Sequence, residues 1–207
     1  MKGKFITFEG IEGCGKSTQI KLLYEHLCSK GYRVSLTREP GGTDIGKKVR
    51  QILLDPENVG ISPIAELLLY NVDRVQHIEE VIRPAIAGGE VILSDRYSDS
   101  TMAYQCAARR LEKSMLEAVD EIATNGLRPD LTILLDLPAN KGLARAKDRS
   151  VLDRFEREAL EFHDRVRRGY LDIATAEPNR VVVVDALKSI EEIHKEIKKT
   201  VIKRLEN

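Results

Sequence analysis

Nine consecutive residues, Gly10-Ile11-Glu12-Gly13-Cys14-Gly15-Lys16-Ser17-Thr18, fit the spacing G-x-x-x-x-G-K-S/T. The glycines let successive backbone N–H groups turn toward one point, an amine follows them, and a hydroxyl follows the amine. Those are the groups needed to cradle a chain of phosphates, to reach its β and γ oxygens through Lys16 and to ligate magnesium through Ser17. Under roughly 1% of chains of this length carry such a match by chance. The plain alternative is a glycine-rich turn without a ligand. Elsewhere, Arg38, Arg74 and Arg96 offer three planar forks able to hold one dianionic phosphate if they converge. Taken singly, each reads as a surface ion pair. Asp95 can support a divalent cation, cap the helix that follows it, or both. Tyr70 precedes Arg74 by four residues, one helical turn, so ring and guanidinium share a face; the alternative is helix core, because Leu67 and Leu68 adjoin it. Glu12 sits inside the loop, where an acid facing phosphates is repulsive unless it has another partner or faces solvent. Between residues 141 and 154, Lys141, Arg145, Lys147, Arg149 and Arg154 stand against Asp148 and Asp153, a net of plus three. That is either a segment closing over phosphates or a solvated basic helix.

The elements that must position these groups follow from periodicity. Short apolar, β-branched runs at 4–9, 33–38, 91–95, 131–137 and 181–185 predict five strands. Each run is nearly continuous rather than alternating, as a parallel sheet buried on both faces requires. Helical periods fill 16–30, 44–54, 64–87, 98–110, 113–125, 141–149, 154–176 and 189–205. The expected fold is α/β: a doubly wound five-stranded parallel sheet with helices on both faces. It sets the phosphate loop between the first strand and the first helix, the context the motif needs, and Asp95 at a strand's carboxyl end, where open α/β sheets bind ligands. With no repeat, low-complexity tract or linker, residues 1–207 read as one domain, Gly88-Gly89 being a turn.

Composition narrows the function classes. Thirty-three basic and 33 acidic side chains give zero net charge, so no general nucleic-acid surface is expected and phosphate chemistry must use a local cluster. The apolar runs are far short of the roughly 20 residues of a membrane span, and no signal-peptide pattern opens the chain. Cys14, Cys28 and Cys106 form no C-x-x-C pair, which suits a reducing compartment, the cytoplasm. Cys14 reads as a loop filler or, at a helix N-terminus, as a reactive thiol. His26, His77, His163 and His194 have no metal-ligand spacing and read mostly as surface residues. Asn140-Lys141-Gly142-Leu143 lacks the aspartate of a guanine-reading Asn-Lys-x-Asp, and no D-x-x-G occurs, which disfavours a switch GTPase.

Four further segments carry a resemblance: Thr37-Arg38-Glu39-Pro40-Gly41-Gly42-Thr43, Asp73-Arg74-Val75-Gln76-His77, the run Asp95-Arg96-Tyr97-Ser98-Asp99-Ser100-Thr101-Met102-Ala103-Tyr104-Gln105, and Leu152-Asp153-Arg154-Phe155-Glu156. With the phosphate loop they resemble the thymidylate kinase family over nearly the whole chain. The resemblance implies the P-loop kinase fold with a small helical lid at about 141–154, transfer of phosphate from ATP to dTMP with Mg2+, and a homodimer. It implies that Gly10, Ile11, Glu12, Gly13, Cys14, Gly15, Lys16, Ser17 and Thr18 surround the ATP phosphates, with Lys16 catalytic, and that Ser17 and Asp95 serve the metal. Arg74 and Arg96 would hold the acceptor's 5′-phosphate, with Arg38 in support and Arg96 also catalytic. Tyr70 would stack on thymine, Thr101 and Gln105 would read its edges, and Tyr104 would crowd a ribose 2′-hydroxyl. Glu12 would approach the acceptor's 3′-hydroxyl or a magnesium shell, and Asp185-Ala186-Leu187 would border adenine. The family commonly has Phe at position 70, and some members carry Arg at position 13, where this chain has Gly. That missing loop cation shifts weight to the lid, to Arg149 first and Arg145 second. Another nucleoside monophosphate kinase and a nucleotide-dependent binding switch remain the alternatives.

Overall fold

The computed structural model describes residues 3–147 and 153–206. Arg149, on which the lid expectation leans most, lies outside the described residues. Strands β1 (Lys4–Glu9), β2 (Val34–Arg38), β3 (Val91–Asp95), β4 (Leu131–Asp136) and β5 (Val181–Asp185) form one parallel sheet in the order β2-β3-β1-β4-β5. β1 takes the centre because both its faces can be buried. Phe5, Ile6 and Phe8 are wholly enclosed, and Thr7 between them shares a 2.7 Å hydrogen bond with Thr132 of β4. Strand alternation sends Phe5 to one face with Ile78, Ile82, Ile92 and Tyr97, and Ile6 to the other with Leu23, Leu27, Leu134 and Val201. Each fully buried Leu or Ile of this kind contributes about 1.5–3 kcal/mol. Both faces are therefore covered by helices, as a doubly wound sheet demands.

Around the sheet lie α1 (Lys16–Ser29), α2 (Asp44–Leu54), α3 (Pro63–His77), α4 (Arg83–Ala87), α5 (Ser98–Thr101), α6 (Lys113–Thr124), α7 (Ala139–Lys147), α8 (Leu160–Ala176) and α9 (Ile190–Glu206). Thr43 caps α2, its Oγ1 accepting from Gly46 N at 2.9 Å, and Ser62 caps α3, which opens on Pro63. The strands and most helices start and stop within two residues of expectation, but three helices do not.

The helix expected over 64–87 is interrupted. After α3 comes a π-helical turn, Ile78–Ile82, in which Arg83 N–H reaches back five residues to Ile78 O. Arg83 opens the short α4 beyond it, and Pro84, with no N–H to close an ordinary turn, is its second residue. The helix expected over 98–110 is α only to Thr101 and continues as a π-helix, Met102–Ala108, with Arg109 N–H bonded to Tyr104 O at 2.9 Å. That wider winding changes which side chains of the segment share a face. The helix expected over 154–176 begins only at Leu160. Asp153 Oδ1 accepts from the N–H groups of Phe155 and Glu156, closing a turn in place of a helix start. Among the described residues no helix is long and apolar enough to cross a membrane.

Candidate active site

The register sets Arg38 opposite Asp95 and Asp95 opposite Phe8, so β1, β2 and β3 end level at their carboxyl edge. The phosphate loop leaves β1 there. Gly10, Gly13 and Gly15 have φ of 134°, 71° and 99°, conformations that L side chains rarely adopt. Gly15 begins α1 without a side-chain cap, leaving the first-turn N–H groups directed at the loop's centre. Gly13 has a second constraint: a Cβ placed on it would stand 2.2 Å from Gly142 O at the base of α7. Lys16 is nearly enclosed, its Nζ donating to Gly10 O at 2.9 Å and Ile11 O at 3.0 Å. The ammonium is thus folded onto the loop it would serve. Ser17 Oγ donates to Asp95 Oδ2 at 3.3 Å, bringing the two expected metal-supporting groups together. Cys14 is buried and fills the loop's interior, which favours the filler reading.

A cleft of about 230 Å3 runs from this loop between the ends of β2 and β3, α3, the π-helical segment and the turn after Asp153. All seven residues expected on the acceptor side line it: Arg38, Tyr70, Arg74, Arg96, Thr101, Tyr104 and Gln105. Glu12, Lys16, Ser17 and Asp95 line its other end. Arg96 is held in left-handed backbone, φ 75°, by its N–H bond to Phe8 O at 3.0 Å. Such a conformation costs a non-glycine residue roughly 1–2 kcal/mol, and here it turns the guanidinium into the cleft. That group donates to Gly10 O, Ser100 Oγ, Tyr170 OH, Glu12 Oε1 and Tyr104 OH over 2.9–3.2 Å.

Glu12 therefore faces the cleft wall rather than solvent. Burial would raise its carboxyl, but His163, Arg96, Lys16 and Tyr104 outweigh burial and hold it well below the ordinary carboxylate range. His163 Nδ1 stands 3.4 Å from Oε2 without a well-formed hydrogen bond. Directly behind, Glu9 is wholly buried and accepts from Tyr97 N, Ser100 Oγ and Tyr170 OH at 2.8, 2.6 and 2.9 Å. Burial first, then the neighbouring Asp99, raises its pKa from 4.5 to about 7.

The arginines do not converge as the sequence suggested. Arg74 is 1% exposed and commits four of its five N–H groups: Nε to Glu39 Oε2, Nη1 to Asn71 and Asp120, and Nη2 to Thr101 Oγ1. A guanidinium so saturated has no fork left for a phosphate and forms the cleft's floor, 5.3 Å from the Tyr97 ring centre. Its place near Arg38 is taken by Arg50, whose Cδ and that of Arg38 flank Gly41. Burial and then Arg38 lower the pKa of Arg50, the mark of crowded cations in one place. Arg50 was illegible as a site residue because it belongs to no motif and lies among ordinary helix cations.

Two histidines are core, not surface. His77 and His163 are wholly buried, and His77 links Glu39 Oε1, 2.9 Å from Nδ1, to Thr37 Oγ1 at Nε2. Behind the same loop, burial and then Glu39 raise Asp73 from 3.8 to about 6. Arg154 is likewise no free lid cation: its Nη1 lies 2.7 Å from Glu66 Oε2, its Nε donates to Leu53 O, and its Cζ is 4.3 Å from the centre of the Phe155 ring. Phe155 itself lines the cleft beside Tyr70 and Tyr104. Arg145 lies outside the cleft, Nη1 3.5 Å from Ala186 O at the end of β5.

Sheet order, phosphate loop and adjoining acceptor cleft together make this a P-loop nucleoside monophosphate kinase fold. The family model for thymidylate kinase matches residues 8–197. The chain is 51% identical over 195 residues to the thymidylate kinase of Syntrophotalea carbinolica, covering 91% of this chain and 90% of that protein. It is 49% identical over 207 residues to that of Trichlorobacter lovleyi, covering 97% and 98%. A crystal structure of thymidylate kinase from Ehrlichia chaffeensis superposes with a TM-score of 0.79 at 32% identity, over 97% of this chain and 99% of that one. The chain belongs to the thymidylate kinase family.

Proposed function

We propose that this chain transfers a phosphoryl group from ATP to dTMP, giving ADP and dTDP. The observation that carries the reading is the single cleft with Lys16 and the α1 N-terminus at one end and Tyr70, Thr101, Tyr104 and Gln105 at the other, so that donor and acceptor would meet within it. The acceptor's phosphate is already a nucleophile, so the chemistry needs positioning and charge neutralisation rather than a general base. The loop N–H groups and Lys16 hold the donor's phosphates. Arg38 and Arg50 grip the acceptor's phosphate, Arg96, its amino groups held by the cleft wall, lends fixed positive charge beside them, and Tyr70 stacks on the base above the Arg74 floor. Glu12, kept ionised, fixes Arg96 and Tyr104 and faces the sugar. Tyr104 fills the space a 2′-hydroxyl would need.

Ser17 and Asp95 supply hard oxygens on adjacent elements, which suit Mg2+, a cation that keeps several waters and takes few protein ligands. Bound there, it would neutralise charge between the transferred and leaving phosphates. Residues at about 141–154 would form the lid, with Arg149 and then Arg145 bringing positive charge to the transferring group. The rest of 1–207 would act with it as one domain. An exposed apolar stripe on α3, Ile64, Leu68, Val72 and Val75, supports a homodimer. Three free cysteines support a cytoplasmic setting.

A coupled ADP-release assay with magnesium and a panel of nucleoside monophosphates tests the reading. Turnover should be greatest with dTMP, ahead of dCMP, dGMP and AMP. AMP or CMP as best acceptor would point to another monophosphate kinase, and ATP hydrolysis with no acceptor phosphorylated would point to a switch.

A further inference from the structure

The scheme above leaves Glu66 unused, yet this carboxylate is wholly buried on α3, one turn before Tyr70. Two guanidiniums hold it. Arg154 Nη1 lies 2.7 Å from Oε2, and Arg109 donates from Nε to Oε1 and from Nη2 to Oε2, each at 3.3 Å. Both of its oxygens meet N–H donors, so in this site the carboxylate acts as a hydrogen-bond acceptor. Its remaining donor is Gln105 Nε2, 2.9 Å from Oε1.

The two ends of an amide are chemically opposite, and a charged carboxylate admits only the NH2 end. Turning Gln105 over would set oxygen against oxygen in a site with almost no solvent, Gln105 being 1% exposed. Its Oε1 is therefore the end left for a ligand. Among the described residues nothing donates to that oxygen, and Gln105 lines the cleft together with Tyr70 and Thr101.

We propose that Glu66 is a specificity-positioning residue: by fixing the Gln105 amide in one orientation it makes the cleft present a carbonyl oxygen to the acceptor base, selecting a pyrimidine whose N3 carries hydrogen. This rests on the dTMP reading and deepens it. Thymine and uracil bring an N3–H to that oxygen. Cytosine brings a lone pair to a lone pair, and a mismatched hydrogen bond discriminates far better than shape in a site of this kind. Arg154 is the last residue of the expected lid, so its ion pair with Glu66 also fastens the turn carrying Phe155 to α3.

The test measures kcat/KM for dTMP, dUMP and dCMP, with inhibition constants against dTMP where turnover is too slow, in the full-length wild type, Glu66→Gln and Gln105→Leu. Glutamine at position 66 can offer either end of its amide, which frees Gln105 to turn. The dTMP-to-dCMP ratio should then fall at least about 10-fold, while the dTMP-to-dUMP ratio, which reads only the methyl group, moves by less than about threefold. Ratios taken on one preparation cancel any loss of folded protein. An unchanged dTMP-to-dCMP ratio in Glu66→Gln overturns the proposal, since a merely structural carboxylate would lower all three substrates alike. If Glu66→Gln does not fold, Gln105→Leu decides: it keeps Glu66, removes the carbonyl, and must show the same fall. A wild type that phosphorylates none of the three pyrimidines defeats the dTMP reading itself, which is a different result.

Discussion

Replacing Glu9 by glutamine should flatten the pH dependence of stability, and the size of the effect follows from its surroundings. The carboxyl is wholly buried beside Asp99, and its native pKa is raised from 4.5 to about 7. A raised native pKa means that between those values the native state holds a proton the unfolded chain has released, so stability falls as pH rises. The contribution is fully present below pH 4.5 and is lost as pH climbs through about 7. At about 1.4 kcal/mol per pH unit, the wild type should lose about 3 kcal/mol on this account. Glutamine keeps the acceptor for Tyr97 N–H and the shape, but cannot ionise. Asp73, also raised, titrates in the same direction, and Glu12, held low, contributes stability that is lost only as pH falls below its ordinary range. Both are common to the two proteins and cancel in the difference. Urea unfolding from about pH 5 to about pH 8, read by circular dichroism, supplies the curves. Parallel curves for wild type and Glu9→Gln across that range would show that Glu9 is already ionised in the native state and that the reasoning about its burial is wrong.

Other substitutions probe the cleft floor and the expected lid. Arg74→Ala should cost about 3–5 kcal/mol of folding stability, because it leaves the buried Glu39 with His77 alone and Asp120 without its arginine, and calorimetry should register a lowered Tm before any kinetics are measured. A stable variant with only a raised KM for dTMP would return Arg74 to the role of phosphate clamp. On the lid reading proposed above, Arg149→Ala should lower kcat by about 10²–10⁴ with little change in KM for dTMP, since a cation brought in by closure would act on the transition state. Arg145→Ala should do the same more mildly. A kcat within a few-fold of wild type in an Arg145, Lys147 and Arg149 triple variant would make the lid cluster a solvated face.

What could be read from the sequence was what local chemistry determines. The apolar runs at β1 and β4 need burial on both faces whatever surrounds them, so strand number and parallel character were visible, and the glycine spacing carried the loop. The π-helical turns were not, because a period of 3.6 fits the same side chains until Pro84, or the packing around Tyr104, forces a wider winding. Partner choice was hidden for the same reason. Arg74 and Arg154 look like exposed cations in a linear reading, yet each finds a buried carboxylate, Glu39 at 35 positions' separation and Glu66 at 88. His77 and His163 could not be told from surface histidines by spacing alone, since what buries them is the closing of α3 and α8 over the sheet.

The meeting of Gly13 and Gly142 ties two choices into one. A Cβ on Gly13 would stand 2.2 Å from Gly142 O, and a Cβ on Gly142 would stand 2.5 Å from Glu12 O and 2.7 Å from Ile11 Cδ1, so neither position admits a side chain while loop and helix stay where they are. The phosphate loop and the root of α7 thus meet backbone to backbone, as at a joint. The same joint explains why arginine at position 13 is not a single-step change for this chain. An arginine placed there must first open the seat of α7, so in this chain the close approach of loop and helix itself excludes a cation at that loop position.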